Sequence, residues 1–186
     1  MELFDKVDEQ DNVIGQTHKE EAHTQGFIHR CAGIYLFNAE GKLFLQVHKK
    51  SGGKLDHAVG GHVSKGETYD EAAKRELKEE LEVEFPLEKM VIFYSDETFR
   101  EPLSHMKQRH MYGLYKTTAP KGWVFKPTAD IAEMELLSIE EIVELMNKEP
   151  LRFTAGFLNT FRKYLEYQKL PFRLNDEIFQ TAYYSK

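Results

Sequence analysis

The chain has one cysteine, one tryptophan and six prolines among 186 residues. A lone cysteine, Cys31, closes no internal disulfide, so the core alone must hold the fold, as suits a reducing cytosol. Long apolar runs are missing too. The longest, Cys31 to Phe37, is far too short to span a membrane. The opening residues show no basic stretch leading into a long apolar one, so no secretory signal is expected. Positive charge is scarce: 25 Lys and Arg stand against 31 Asp and Glu, a net charge of -6. Proteins that hold nucleic acid by bulk electrostatics carry the opposite balance. A small phosphorylated substrate bridged by metal ions remains compatible. There is no repeat, low-complexity tract or Gly/Ser/Pro linker. With 41% hydrophobic and 30% charged residues, the chain is long enough to bury a core without staples. One cytoplasmic domain over residues 1–170 is expected, followed by an aromatic tail, 171–186.

Alternation and turn residues organise the first half. Phe4 to Asp8 and Asn12 to Gln16 read as a hairpin, and Lys19 to His23 as a Glu/Lys-rich turn. Cys31 to Phe37 and Leu43 to Val47 pair across Asn38-Ala39-Glu40-Gly41, and Ala58 to Val63 is a short strand broken by two glycines. Further strands are expected at Met90 to Ser95, Met111 to Thr117 and Met134 to Leu137. Helical spacing covers Ile139 to Asn147 and Phe153 to Gln168, where Phe157, Phe161 and Tyr164 belong to a core-facing stripe. Trp123 and Phe125 read as core or edge-strand aromatics. These elements make a layered α/β domain.

The best-defined helix runs from Tyr69 to about Glu82, behind the capping box Thr68-Tyr69-Asp70-Glu71. At 100° per residue, Ala73, Leu77 and Leu81 share the buried face, and Glu71, Lys74, Lys78 and Glu82 lie opposite. Glu76, Glu79 and Glu80 form a third stripe, with Glu76 and Glu80 at the rim of the apolar face. Like charges four residues apart are destabilising by about 0.2–0.5 kcal/mol on an exposed helix, and more when desolvated. A hard divalent cation, which takes oxygen ligands and shares them with phosphates, reverses that sign.

Upstream, Gly61 is followed after five residues by Glu67, and after seven more by Arg75-Glu76-Leu77-Lys78-Glu79-Glu80-Leu81-Glu82-Val83. This resembles the Nudix box, G-x5-E-x7-R-E-U-x-E-E-x-G-U with U aliphatic. Every fixed position matches except the late glycine, which is Glu82 here. The resemblance implies a Nudix-type α/β/α sandwich with a central mixed β-sheet. It also implies Mg²⁺ or Mn²⁺ held by Glu76, Glu79, Glu80 and the Gly61 carbonyl. Arg75 and Glu67 would tie loop to helix. The reaction implied is hydrolysis of a diphosphate bond in a nucleotide or other organic diphosphate, by water activated on the metal. Glu79, Glu97, Glu101 and Glu133 are the candidates for the base.

A second resemblance covers roughly residues 2–170. His23, His29, the run Leu36 to Leu43 and Gly61-His62 are similar to the type 1 isopentenyl diphosphate isomerases, Nudix-fold proteins whose additional metal site aligns with His23, His29 and His62. The departures point away from isomerisation. Gly60 stands where the isomerase cysteine belongs, Gln108-Arg109-His110 replaces a Glu-x-Glu pair, and the box glutamates are intact. The chain reads as a hydrolase on an isomerase-like frame, with a catalytically silent binding or regulatory module as the alternative. Arg100, Lys107, Arg109 and His110, with His105 nearby, form a locally basic segment suited to phosphate. A homodimer is compatible, through the N-terminal hairpin or the C-terminal tail.

Overall fold

The apolar run at Cys31 extends into a strand of nine residues, β3 (His29–Phe37), around which the sheet is built. The computed structural model describes residues 2–96 and 107–175, and the elements named below belong to these. Before β3 come β1 (Leu3–Val7), β2 (Val13–His18) and α1 (Lys19–Gln25). After it follow β4 (Leu43–His48), β5 (Lys54–Asp56), β6 (Val59–His62), α2 (Tyr69–Leu81), β7 (Glu88–Asp96) and β8 (Arg109–Thr118). The last elements are β9 (Met134–Leu137), α3 (Ile139–Lys148) and α4 (Ala155–Tyr167). β8 runs parallel to β3 along its whole length, from His29–His110 to Phe37–Thr118. The opposite edge of β3 is shared in succession by β1 at His29, β6 over Cys31–Ile34 and β4 at Leu36 and Phe37. β7 joins β8, β2 joins β1, and β5 and β9 pair with β4. The sheet is mixed, as expected.

Alternation along β3 divides the core between two faces. Ala32, Ile34 and Leu36 pack toward α2 with Ala72, Ala73, Leu77 and Leu81. Cys31 and Tyr35 pack the other way, against Ile142 and Met146 of α3 and Phe157, Phe161 and Tyr164 of α4. Helices on both faces of a mixed sheet give the α/β/α sandwich. Cys31 is a small buried strand residue, as read. Trp123 meets Phe44 and Phe85 edge-on, a core role. Residues beyond 170 still pack: Phe172 and Leu174 lie against the α4 core, and the Asn175 amide donates to Asn147.

Two elements differ from the local reading. The Lys19–His23 turn is a helix, α1, closed by Gly26 at φ 75°. Seven residues are too few to display a period, and what stabilises them is tertiary, the burial of Ala22 and His23. β5 was invisible because its three residues pair with β4 only through the fold.

α2 starts as expected: the Thr68 side chain accepts from the Glu71 amide, and Glu71 reaches back to the Thr68 amide at 2.9 Å. It ends at Glu82, which takes the left-handed conformation at φ 58°, where the box pattern has glycine. A residue with a Cβ is strained there by about 1 kcal/mol. Glu82→Gly is therefore expected to raise the melting temperature by about 2–4 °C without changing activity, measured by thermal denaturation beside an activity assay. An unchanged or lowered melting temperature would show that Glu82 gains as much from its contacts as it loses in backbone strain.

Candidate active site

Arg75, in the middle of α2, gathers the box. Its Nε and Nη2 donate to the two oxygens of Glu67 at 2.9 and 3.0 Å, and Nη2 also donates to the His62 carbonyl at 3.0 Å. Nη1 donates to Glu76 at 2.8 Å and to Glu79 at 3.1 Å. Burial works against the charge of Glu67, but Arg75 and the Ser64 amide hold its pKa below the ordinary carboxylate value. One guanidinium thus locks the loop carboxylate, two helix carboxylates and the β6 backbone together, the roles expected of Arg75 and Glu67.

Gly61 is a glycine for steric reasons. A Cβ built there falls within the Glu76 carboxylate, so the β6 backbone and that carboxylate are in direct apposition. Gly61→Ala should therefore push Glu76 off its seat and lower diphosphate hydrolysis at least about 100-fold, roughly 2.7 kcal/mol of barrier. Near-normal turnover by the folded variant would mean that Glu76 and Gly61 need not meet.

Glu76, Glu79 and Glu80 have different environments. Glu79 is half-exposed, with 57% of its side chain open. Burial raises the Glu76 pKa despite Arg75 beside it. Glu80 is pushed up to about 8, by burial first and then by Glu76, against a hydrogen bond from the Gly60 amide; Asp130 and Asp56 add to the rise. Its Oε2 is buried with no hydrogen-bond partner among the described residues. The Thr128 hydroxyl donates to the Glu80 carbonyl at 2.6 Å, which brings the turn carrying Asp130 against the helix. Glu76 and Glu80 are largely buried and Glu79 is open, and carboxylate oxygens are the donors a hard cation takes.

The strand that carries Gly61 also carries His62, whose side chain points the other way, into four clustered histidines. His23 of α1, His29 of β3, His62 of β6 and His110 of β8 offer ring nitrogens that all lie within 4.8 Å of one another. His29 Nδ1 faces the Phe27 carbonyl at 3.0 Å and so carries the proton, which turns a bare Nε2 toward His23 Nε2, 3.1 Å away. His23 Nδ1 is buried with no hydrogen-bond partner among the described residues. Phe4 stacks on His29 and His62. Burial, reinforced by His110, lowers His23 to about 4 and His29 to about 3, and His62 falls in the same direction for the same reasons. Neutral imidazoles are the form that ligates metal, and with no carboxylate among them the set suits a borderline cation such as Zn²⁺ rather than Mg²⁺.

The structure therefore separates the basic segment. His110 leaves it for the histidine cluster, because the parallel register with β3 sets it opposite His29. Only its place in the Glu-x-Glu alignment hinted at this. Arg109 is held by Tyr94 at 2.8 Å, Asp96 at 3.2 Å and the Gly26 carbonyl at 3.2 Å. Lys107 is exposed and lies across Gly26. Arg100, His105, Glu97 and Glu101 lie outside the described residues. Glu133 is exposed, and its carbonyl accepts from the Val47 amide at 3.0 Å, which places it beside β4. Asp56 and Asp130, which bear on Glu80, were missed; neither belongs to the box, and only the fold brings them near. No described helix is long and apolar enough to cross a membrane.

An α/β/α sandwich with this box on its first long helix defines the Nudix class, and the NUDIX domain profile matches residues 27–157. The chain belongs to the Nudix family. It is 43% identical over 86 residues to an uncharacterised Nudix hydrolase of Streptomyces coelicolor, an alignment covering 43% of this chain and 46% of that protein. It is 32% identical over 166 residues to the isopentenyl-diphosphate Delta-isomerase of Pectobacterium atrosepticum, covering 87% of this chain and 90% of that one. In three dimensions it is similar to DR0079 from Deinococcus radiodurans, with a TM-score of 0.61 at 28% identity over 78% of this chain and 88% of that one. Where isomerases have the cysteine, this chain has Gly60, paired to Gly33 of β3.

Proposed function

We propose that the protein hydrolyses the diphosphate bond of a small nucleotide or other organic diphosphate, in the cytoplasm, with Mg²⁺ or Mn²⁺ held by Glu76, Glu79, Glu80 and the Gly61 carbonyl. The observation that carries this reading is the Glu80 carboxylate, buried among like charges with one oxygen unpartnered. When bound, the cation withdraws charge from the bridging phosphates and lowers the pKa of water. The chain's own residues do the rest. Arg75 keeps Glu67, Glu76 and Glu79 in fixed relation. Glu79, the most open of the three, receives the proton of the attacking water. Lys107 and Arg109 supply charge to the outer phosphates. The histidine cluster forms a second, separate metal centre that ties α1 to three strands, with His110 as its fourth ligand.

The isomerase reading has no thiol to work with, since Cys31 is buried in β3 and Gly60 occupies the position next to Gly61. The test is incubation of the protein with Mg²⁺, then Mn²⁺, against nucleoside triphosphates, nucleotide sugars, dinucleotides, coenzyme A and prenyl diphosphates, with products resolved by mass and isomers of equal mass by chromatography. Cleavage that vanishes in a Glu79→Gln, Glu80→Gln double variant is expected. Binding without cleavage would leave a regulatory module, and an isomerised prenyl diphosphate of unchanged mass would overturn the hydrolase reading.

A further inference from the structure

The hairpin of β1 and β2 lies outside residues 27–157, the stretch that the family profile matches, yet it grips the loop that opens the box. That loop, residues 63–68, joins β6 to α2. Its tip is a tight turn in which the Glu67 amide donates to the Ser64 carbonyl at 3.0 Å and Gly66 takes φ 76°. Both amides at the tip meet β1. The Lys65 amide donates to the Leu3 carbonyl at 2.8 Å, and the Gly66 amide donates to Asp5 Oδ2 at 3.0 Å. The Lys65 ammonium reaches β2 and donates to Gln16 Oε1 at 2.6 Å, in register with Asp5. Where the loop becomes helix, the Tyr69 hydroxyl donates to Asp11 Oδ1 at 3.2 Å, in the turn of the same hairpin.

Such a clasp could do no more than fasten the hairpin to the domain. The residue after Gly66 argues for more. Glu67 takes the Nε and Nη2 donors of Arg75, which leaves Nη1 to be shared between Glu76 and Glu79. The guanidinium is thus divided between the loop and the helix. A loop that drifts away gives Arg75 back to Glu76 and Glu79, and a charge-assisted bond from arginine competes directly with a cation for the same oxygens. Asp5 is well placed to prevent that drift. It keeps 15% of its side-chain surface, and Arg30, itself held by Asp11 at 2.6 Å, stands 3.9 Å from it as a countercharge.

We propose that Asp5 is a positioning residue of the box, acting through the Gly66 amide and Glu67 on Arg75, and that the N-terminal hairpin is thereby a working part of the acidic centre. The inference rests on the reading of that centre as a cation site. It carries the centre outside the profile-matched domain: α2 supplies the carboxylates, the loop supplies the partner that occupies Arg75, and β1 fixes the loop. Groups that orient metal ligands from behind change metal affinity by 10- to 100-fold, and a residue as far back as Asp5 belongs at the lower end.

The test is Mn²⁺ binding to the full chain, followed by the loss of the free-ion electron paramagnetic resonance signal. Each protein is compared with its Glu80→Gln counterpart, so that the difference reports the box and not the histidine cluster. Asp5→Ala is expected to weaken the box-bound ion about 10-fold, and Asp5→Asn, which keeps an acceptor for the Gly66 amide, to stay within about 3-fold of wild type. Leu165→Ala, a cavity in the α4 core on the other face of the sheet, lowers the melting temperature and should leave the affinity alone. In metal-free protein the Arg75 Nε–H resonance, identified by its loss in Arg75→Lys, should exchange slowly with solvent in wild type and faster in Asp5→Ala. Wild-type affinity in Asp5→Ala rejects this inference alone. Equal losses in Asp5→Ala and Leu165→Ala would reduce the clasp to stability, and equal losses in Asp5→Ala and Asp5→Asn would overturn the role of the Gly66 contact. An unchanged Arg75 resonance in Asp5→Ala would overturn the route through Arg75. If wild type and Glu80→Gln bind Mn²⁺ alike, the cation reading of the box fails and takes this inference with it.

Discussion

Glu80→Gln is expected to lower metal-dependent hydrolysis about 10³-fold and, in metal-free protein, to raise the melting temperature. The loss follows from removing a charge that faces the cation, worth several kcal/mol in the transition state. The gain follows from linkage. Glu80 has its pKa raised from 4.5 to about 8, so at pH 7 the unfolded chain ionises freely while the folded one resists. The penalty is absent below the unfolded value, grows as pH rises through 4.5, and is complete near 8. At pH 7 it amounts to about 3 kcal/mol, or roughly 5–10 °C for a chain of this size. Glutamine keeps an acceptor for the Gly60 amide and offers its NH2 to the surrounding carboxylates. Paired activity and thermal measurements, with and without Mg²⁺, check both halves. A variant that loses activity but also loses metal-free stability would mean that Glu80 is not under strain.

The histidine centre should make metal-free protein sensitive to acid. His23 and His29 have folded pKa values of about 4 and about 3, lowered from 6.5. Between these values and 6.5 the unfolded chain binds protons that the folded chain refuses. Stability is therefore retained above 6.5, falls as pH drops below it, and levels off below about 3. At pH 5 each of these histidines costs about 2 kcal/mol, so chelator-treated protein should melt 10 °C or more below its value at pH 7.5. Zn²⁺ should raise the melting temperature of chelator-treated protein at neutral pH by mass action through the four rings, separately from any shift that Mg²⁺ gives through the box. His29→Phe, which preserves the stack on Phe4, should flatten the pH dependence and abolish the Zn²⁺ shift. A Zn²⁺ shift left unchanged in His29→Phe would speak against a nitrogen-ligand site.

The long regular elements were legible because their signals are local. Thr68 and Glu71 cap α2 through atoms three residues apart, and Leu77 and Leu81 mark its buried face within two turns. Short elements were not: α1 and β5 owe their existence to packing rather than to their own periodicity. The box placed Glu67, Arg75, Glu76, Glu79 and Glu80 together from spacing alone, since helix geometry and one loop decide their separation. No comparable rule covers residues that meet across strands.

The sequence by itself determined the family, the α2 face with its carboxylates and the missing thiol at Gly60. Only the tertiary structure decided how charge is distributed around them. The β3–β8 register moved His110 from a basic segment into a histidine cluster, and gave Arg109 to Tyr94 and Asp96. Alternation in β6 sent Gly61 and His62 to opposite sides, onto Glu76 and into the histidine cluster, so two adjacent residues face two different groups. The same folding carried Asp56 and Asp130 to Glu80. Burial and proximity set the pKa of a carboxylate or an imidazole, and both depend on which distant segments arrive beside it.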